Sequence, residues 1–91
     1  MNLFKDYYCH TYEEDGYYTR RYLFITRRDT DARVTSFRIE NEIHPYNDGV
    51  IGWILIKYNA HWETFAHLIV EYCINDLKIS NIYLDDMYDG N

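Results

Sequence analysis

The sequence predicts an α+β fold: an antiparallel-rich sheet of four or five strands, in the order β-β-β-β-α-β, covered by one amphipathic helix. Three observations carry this. Alternating apolar positions recur through the first half of the chain. A single stretch, residues 60–77, has helical periodicity. With 91 residues and 47% hydrophobic content, the chain has material for one modest core and one domain spanning 1–91.

Residues 6–12 and 17–27 read as the first two strands, joined by a tight connection at EEDG, residues 13–16. In the second strand Tyr22, Phe24 and Thr26 share one face while Leu23 and Ile25 take the other, the pattern of a central strand. RDTDA, residues 28–32, is the next turn. Residues 33–43 alternate cleanly, with Phe37, Ile39 and Ile43 facing in and Arg38, Glu40 and Glu42 facing out. Pro45 lies within HPYNDG, a strong turn signal.

VIGWILIKY, residues 50–58, reads as a buried strand. Val50, Ile54, Ile56 and Tyr58 line one face; Ile51, Trp53, Leu55 and Lys57 line the other. One helix covers only one side of such a sheet. Trp53 and Leu55 are therefore expected under a loop, a terminus or a second subunit, which makes a homodimer an expectation. Asn59 is the expected N-cap of the helix. Trp62, Phe65, Ala66, Ile69, Val70, Cys73 and Leu77 form its apolar stripe, and Thr64, His67, Glu71, Asn75 and Lys78 its polar one. Residues 79–84 read as a last strand, with Ile82 and Leu84 inward, placed beside a central strand.

Composition narrows the function. Two cysteines, Cys9 and Cys73, are too few for a disulfide scaffold. The first twelve residues are too polar for a signal peptide, and no apolar run approaches a membrane span. The expected setting is cytoplasmic, away from membranes. No phosphate-binding glycine loop, zinc-protease helix motif, paired-cysteine motif or nucleophile elbow occurs. His67 and Glu71 stand one helical turn apart, a spacing better read as a surface pair than as a metal or acid–base site. The expectation is a non-enzyme without cofactor or metal.

Charge is segregated. Residues 20–38 carry Arg20, Arg21, Arg27, Arg28, Arg33 and Arg38 against Asp29 and Asp31, a net of +4, whereas residues 39–91 sum to −7 and the whole chain to −6. Glu40 and Glu42 point together from one strand, about 7 Å apart. Asp85, Asp86 and Asp89 cluster near the C-terminus with Tyr83 and Tyr88 among them. Eleven tyrosines and two tryptophans raise aromatics to 19%, and such rings are favoured interface anchors.

The leading expectation is a small acidic inhibitor or adaptor that docks on another protein's basic groove. Glu40, Glu42, Asp85, Asp86 and Asp89 would supply the field, and Tyr83 and Tyr88 the anchors. Small acidic chains of this kind, phage or mobile-element proteins among them, can block a nucleic-acid-handling host enzyme by imitating backbone charge. Direct nucleic-acid binding through Arg20, Arg21, Arg27, Arg28 and Arg33 ranks below it, because the whole-molecule field repels phosphate. A structural or assembly subunit is the third reading.

Overall fold

The α+β fold is realised as a five-stranded, mostly antiparallel sheet with one main helix. The computed structural model describes residues 2–42, 52–79 and 81–85. The elements run α1 (Leu3–Asp6), β1 (Tyr7–Glu14), β2 (Arg20–Arg27), β3 (Arg33–Glu42), β4 (Trp53–Lys57), α2 (Trp62–Asn75) and β5 (Asn81–Asp85). The strands lie in the order β1-β2-β3-β4-β5. The first four pair antiparallel, and β5 adds parallel to β4 after the α2 crossover. The HPYNDG turn and positions Ile43, Val50 and Ile51 lie outside the described residues.

Strand parity builds the core. Leu23 and Ile25 of β2, Phe37 and Ile39 of β3, and Ile54 and Ile56 of β4 are all buried on the face that α2 covers. From α2, Phe65, Leu68, Ile69 and Cys73 descend onto them. Trp62 adds an edge-to-face contact with Phe37 at 6.1 Å between ring centres. Cys9 of β1 and Ile79, just before β5, close the two sides of this core. No helix among the described residues is long and apolar enough to cross a membrane.

Several elements differ from the expectation. The short α1 was not expected; Asn2 caps it by accepting from the Lys5 backbone N–H at 3.1 Å. β1 runs on through Glu13 and Glu14, so the β1–β2 connection is residues 15–19 rather than 13–16. Pairing of Glu13 with Arg21 and of Glu14 with Arg20 explains the extra length. The β2–β3 turn places Asp31 at φ 59°, and a register shift at Ile25/Thr26 follows it into the sheet.

Asn59 does not cap α2; His61 occupies that position without a side-chain bond. Asn59 instead folds the chain one turn earlier. Its Oδ1 accepts from the His61 N–H at 2.8 Å while its Nδ2 donates to the Ser36 carbonyl at 2.9 Å, tying the helix entry to β3. The buried line of α2 includes Leu68, absent from the expected stripe, whereas Ala66 and Val70 are half-buried. The helix is thus rolled towards β1. β5 sits at the far edge of the sheet, where Ile82 is half-buried against the core. Leu84 shares the face of Ile82 but stays 37% exposed at this edge, and Ile79 supplies the fully buried contact.

Phe65 is 3% exposed at the centre of this interface. Phe65→Ala is expected to lower the unfolding free energy by about 3–5 kcal/mol through the cavity it leaves. Denaturant unfolding checks this, and a loss below about 1 kcal/mol would mean that the core does not close around this ring.

Candidate binding face

The opposite face of the sheet carries the chemistry. Alternation sends Tyr8, His10, Tyr12 and Glu14 of β1 to this side, with Arg20, Tyr22, Phe24 and Thr26 of β2 opposite them. Ser36, Arg38 and Glu40 continue it on β3, and Leu55 and Tyr83 extend the Glu40 row into β4 and β5.

Five of these side chains form one ring network. Tyr12 stacks on Phe24 at 5.2 Å with 17° between planes. His10 meets the Phe24 edge at 5.3 Å, Tyr8 stacks on His10 at 5.5 Å, and Tyr22 lies 6.2 Å from Phe24. The rings are pinned by polar contacts. His10 Nε2 lies 3.1 Å from Thr26 Oγ1, and the Tyr8 hydroxyl donates to Asp31 at 3.3 Å. The Arg33 guanidinium covers Phe24 at 4.6 Å from the ring centre. Between them opens a groove of about 280 Å³ lined by Tyr12, Glu14, Tyr22, Phe24, Arg33 and Ser36. Tyr12 remains 46% exposed and Tyr83 56%.

The acidic residues meet at a different point. Lys57, on the same face of β4, reaches Asp85 Oδ2 at 2.7 Å and Glu40 Oε1 at 3.7 Å. Asp85 is only 14% exposed in this contact. Its carboxylate, through the hydrogen bond, pushes the Lys57 pKa up. Glu40, Asp85 and Tyr83 therefore share one face. The carboxylates, however, are tied to a cation instead of standing free. The Glu42 side chain, Asp86, Tyr88 and Asp89 lie outside the described residues.

The arginines are likewise engaged. Arg20 approaches Glu14 at 3.9 Å and donates to the Tyr18 hydroxyl, which lowers the Tyr18 pKa. Arg21 binds Glu13 at 2.8 Å, and Arg27 grips Asp29 with two bonds of 3.0 and 2.7 Å. Arg28 donates to the Phe4 carbonyl at 3.1 Å and lies over the Tyr8 ring. Of the five, Arg20 and Arg33 lie on the open face, and Arg28 contacts its Tyr8 ring. The ring network was not singled out from sequence as a site. Its signal was there, in the alternation Tyr8-His10-Tyr12 and Tyr22-Phe24.

A second cleft, of about 420 Å³, separates β1 from α2 and contains Cys9, Arg28, His67 and Glu71. Burial pushes the Cys9 thiol up to about 12 and Cys73 to about 11, so both stay protonated at neutral pH. Both cysteines are free and buried. His67 and Glu71 form an exposed surface pair at 3.8 Å. Among the described residues no group of three or more His, Cys, Asp or Glu is placed to hold a metal ion. Comparison with protein-family models finds no matching family, and comparisons with curated proteins and with solved structures find no significant match.

Lys57→Met leaves Glu40 and Asp85 facing each other without their shared cation, and is expected to lower the denaturation midpoint. Adding Asp85→Leu should recover part of the loss. In the wild type the Lys57 contribution is full below the ordinary lysine pKa and is lost as pH rises through its raised value. Equal midpoints for the wild type and Lys57→Met would show that the clamp contributes nothing.

Proposed function

We propose that this chain is a small acidic protein-binding module, an inhibitor or adaptor and not an enzyme, that docks the open face of its sheet on another protein. The observation that carries the reading is the ring network centred on Phe24, on the face that α2 leaves uncovered. Tyrosine and arginine are the residue types that dominate interface energetics, because they bury large area with few rotamers and still satisfy a polar tip. Here Tyr12, Tyr22 and Arg33 are already held in place by their neighbours, so docking them costs little ordering entropy.

The charge distribution suits a cationic partner groove. The chain is −6 overall, and that field speeds encounter with a basic surface. Because Lys57 ties Glu40 and Asp85, these carboxylates set register at the rim, and the rings are the anchors. Blocking a nucleic-acid-handling enzyme is one use of such a module. Its setting is proposed as cytoplasmic, where the thiols of Cys9 and Cys73 stay reduced.

A second reading rests on the same rings. Arg33 above Phe24, beside a groove open to solvent, is also how a single-stranded nucleic acid is stacked and its phosphate met. The net charge of −6 opposes it.

The test uses the immobilised full chain to recover its partner from the source organism, followed by affinity measurements on that purified partner. Tyr12→Ala and Arg33→Ala are each expected to weaken binding about tenfold or more, with the fold intact. Glu40→Lys is expected chiefly to slow association and reduce its salt dependence. Unchanged affinity in both Tyr12→Ala and Arg33→Ala would remove the open face from the reading. Low-salt binding of labelled oligo-dT or oligo-U, lost in Arg33→Ala, would favour the nucleic-acid reading instead.

A further inference from the structure

We propose that β1 is a self-pairing edge. Two copies of the chain would join their β1 strands antiparallel about a two-fold axis at Thr11, making one continuous ten-stranded sheet.

The backbone parity comes first. The Arg28 N–H donates to the Asp6 carbonyl at 2.9 Å, which makes the even-numbered residues of β1 the ones bonded to β2. The N–H and C=O groups of Tyr7, Cys9, Thr11 and Glu13 therefore point away from β2, along an edge that pairs with no other strand among the described residues. α1 guards only its start, where the Tyr7 N–H donates to the Leu3 carbonyl. From Thr11 to Glu14 the strand is exposed.

This edge lacks the usual protections. Edge strands are kept from pairing by proline, lysine, inward charges or shortness. β1 is eight residues long, and its first six, YYCHTY, contain no Pro, Lys, Arg, Asp or Glu. β5, at the other edge, has five residues and ends on the clamped Asp85. Near this edge Tyr72 of α2 packs against the core and lines the cleft between β1 and α2 beside Cys9.

The symmetric register is chemically consistent. With Thr11 opposite Thr11 of the second copy, Cys9 faces Glu13, and no two like charges are opposed. On the open face His10 meets Tyr12 of the second copy, an aromatic pair of the kind that stabilises strands. Tyr8 meets Glu14 of the second copy beside the Arg28 guanidinium, which lies 5.4 Å from the Tyr8 ring centre. Pairing about a two-fold axis closes on itself and leaves β1 no free edge to propagate. It also places both α2 helices on one side and joins the two ring networks into a single platform, so the second copy completes the binding face. This inference is independent of what that face binds.

Sedimentation of the full chain across the micromolar range is expected to give a reversible monomer–dimer equilibrium. Thr11→Pro removes the central outward N–H at an edge position where proline is tolerated, and should weaken dimerisation about tenfold or more with unchanged circular dichroism. Thr11→Cys brings two thiols onto the axis with Cα atoms about 5.5 Å apart, within disulfide range, and should give a covalent dimer on mild oxidation. The same substitution at Tyr83, on the opposite edge, should not. A wild type that stays monomeric throughout would overturn the inference, as would Thr11→Pro dimerising like the wild type. Were Thr11→Pro to unfold, failure of Thr11→Cys to cross-link would overturn it.

Discussion

The packing of a single fourteen-residue helix on one face of a five-stranded sheet governs the rest of this molecule. Phe65, Ile69 and Cys73 meet Leu23, Phe37, Ile54 and Ile56, and these residues are almost fully withdrawn from water. Burial of this apolar surface is the main favourable term of folding. The helix is rolled towards β1 and covers β5 only in part, at Ile82, and nothing in α2 reaches the other side of the sheet. One face is therefore a core and the other must be stable while wet. The aromatic and ionic residues of that second face follow from this constraint.

Two devices keep the uncovered face ordered. At the β1–β3 side, rings pack edge to face and stacked around Phe24, with Arg33 above them. Such contacts add to area burial without demanding full exclusion of water. At the β3–β5 side, Lys57 stands between Glu40 and Asp85 and draws three strands together. The acidic half of the sequence is thus partly neutralised where it meets the sheet. The arginine-rich hairpin is neutralised in the same way, by Glu13, Glu14 and Asp29. Charge that looks segregated along the chain is interleaved in space.

The sequence made the sheet legible because its alternation is nearly unbroken: Leu23, Ile25, Phe37 and Ile39 each fall on the inward parity and each is buried. The helix was legible from Phe65, Ile69 and Cys73. What the sequence concealed depended on meeting partners distant along the chain. Nothing local marks Asn59 as a bridge to Ser36 rather than a cap, since the bond spans 23 residues. Leu84 shares the inward parity, but its exposure depends on how far α2 reaches. The binding face was half legible. Tyr22 and Phe24 were placed together from periodicity, yet Glu40 and Asp85 were read as a free acidic surface because the register that brings Lys57 between them is a tertiary fact.

The central claim is that α2 covers one face of the sheet and leaves the ring network accessible. Paramagnetic relaxation by a soluble, neutral gadolinium chelate tests this directly, read on the ring protons of the dilute protein. Strong relaxation is predicted for Tyr12 and Tyr83, intermediate relaxation for Tyr22 and Phe24, and protection for Phe37 and Phe65. Protection of Tyr12 and Tyr22 equal to that of Phe37 would contradict the account, because the open face would then be part of a second core.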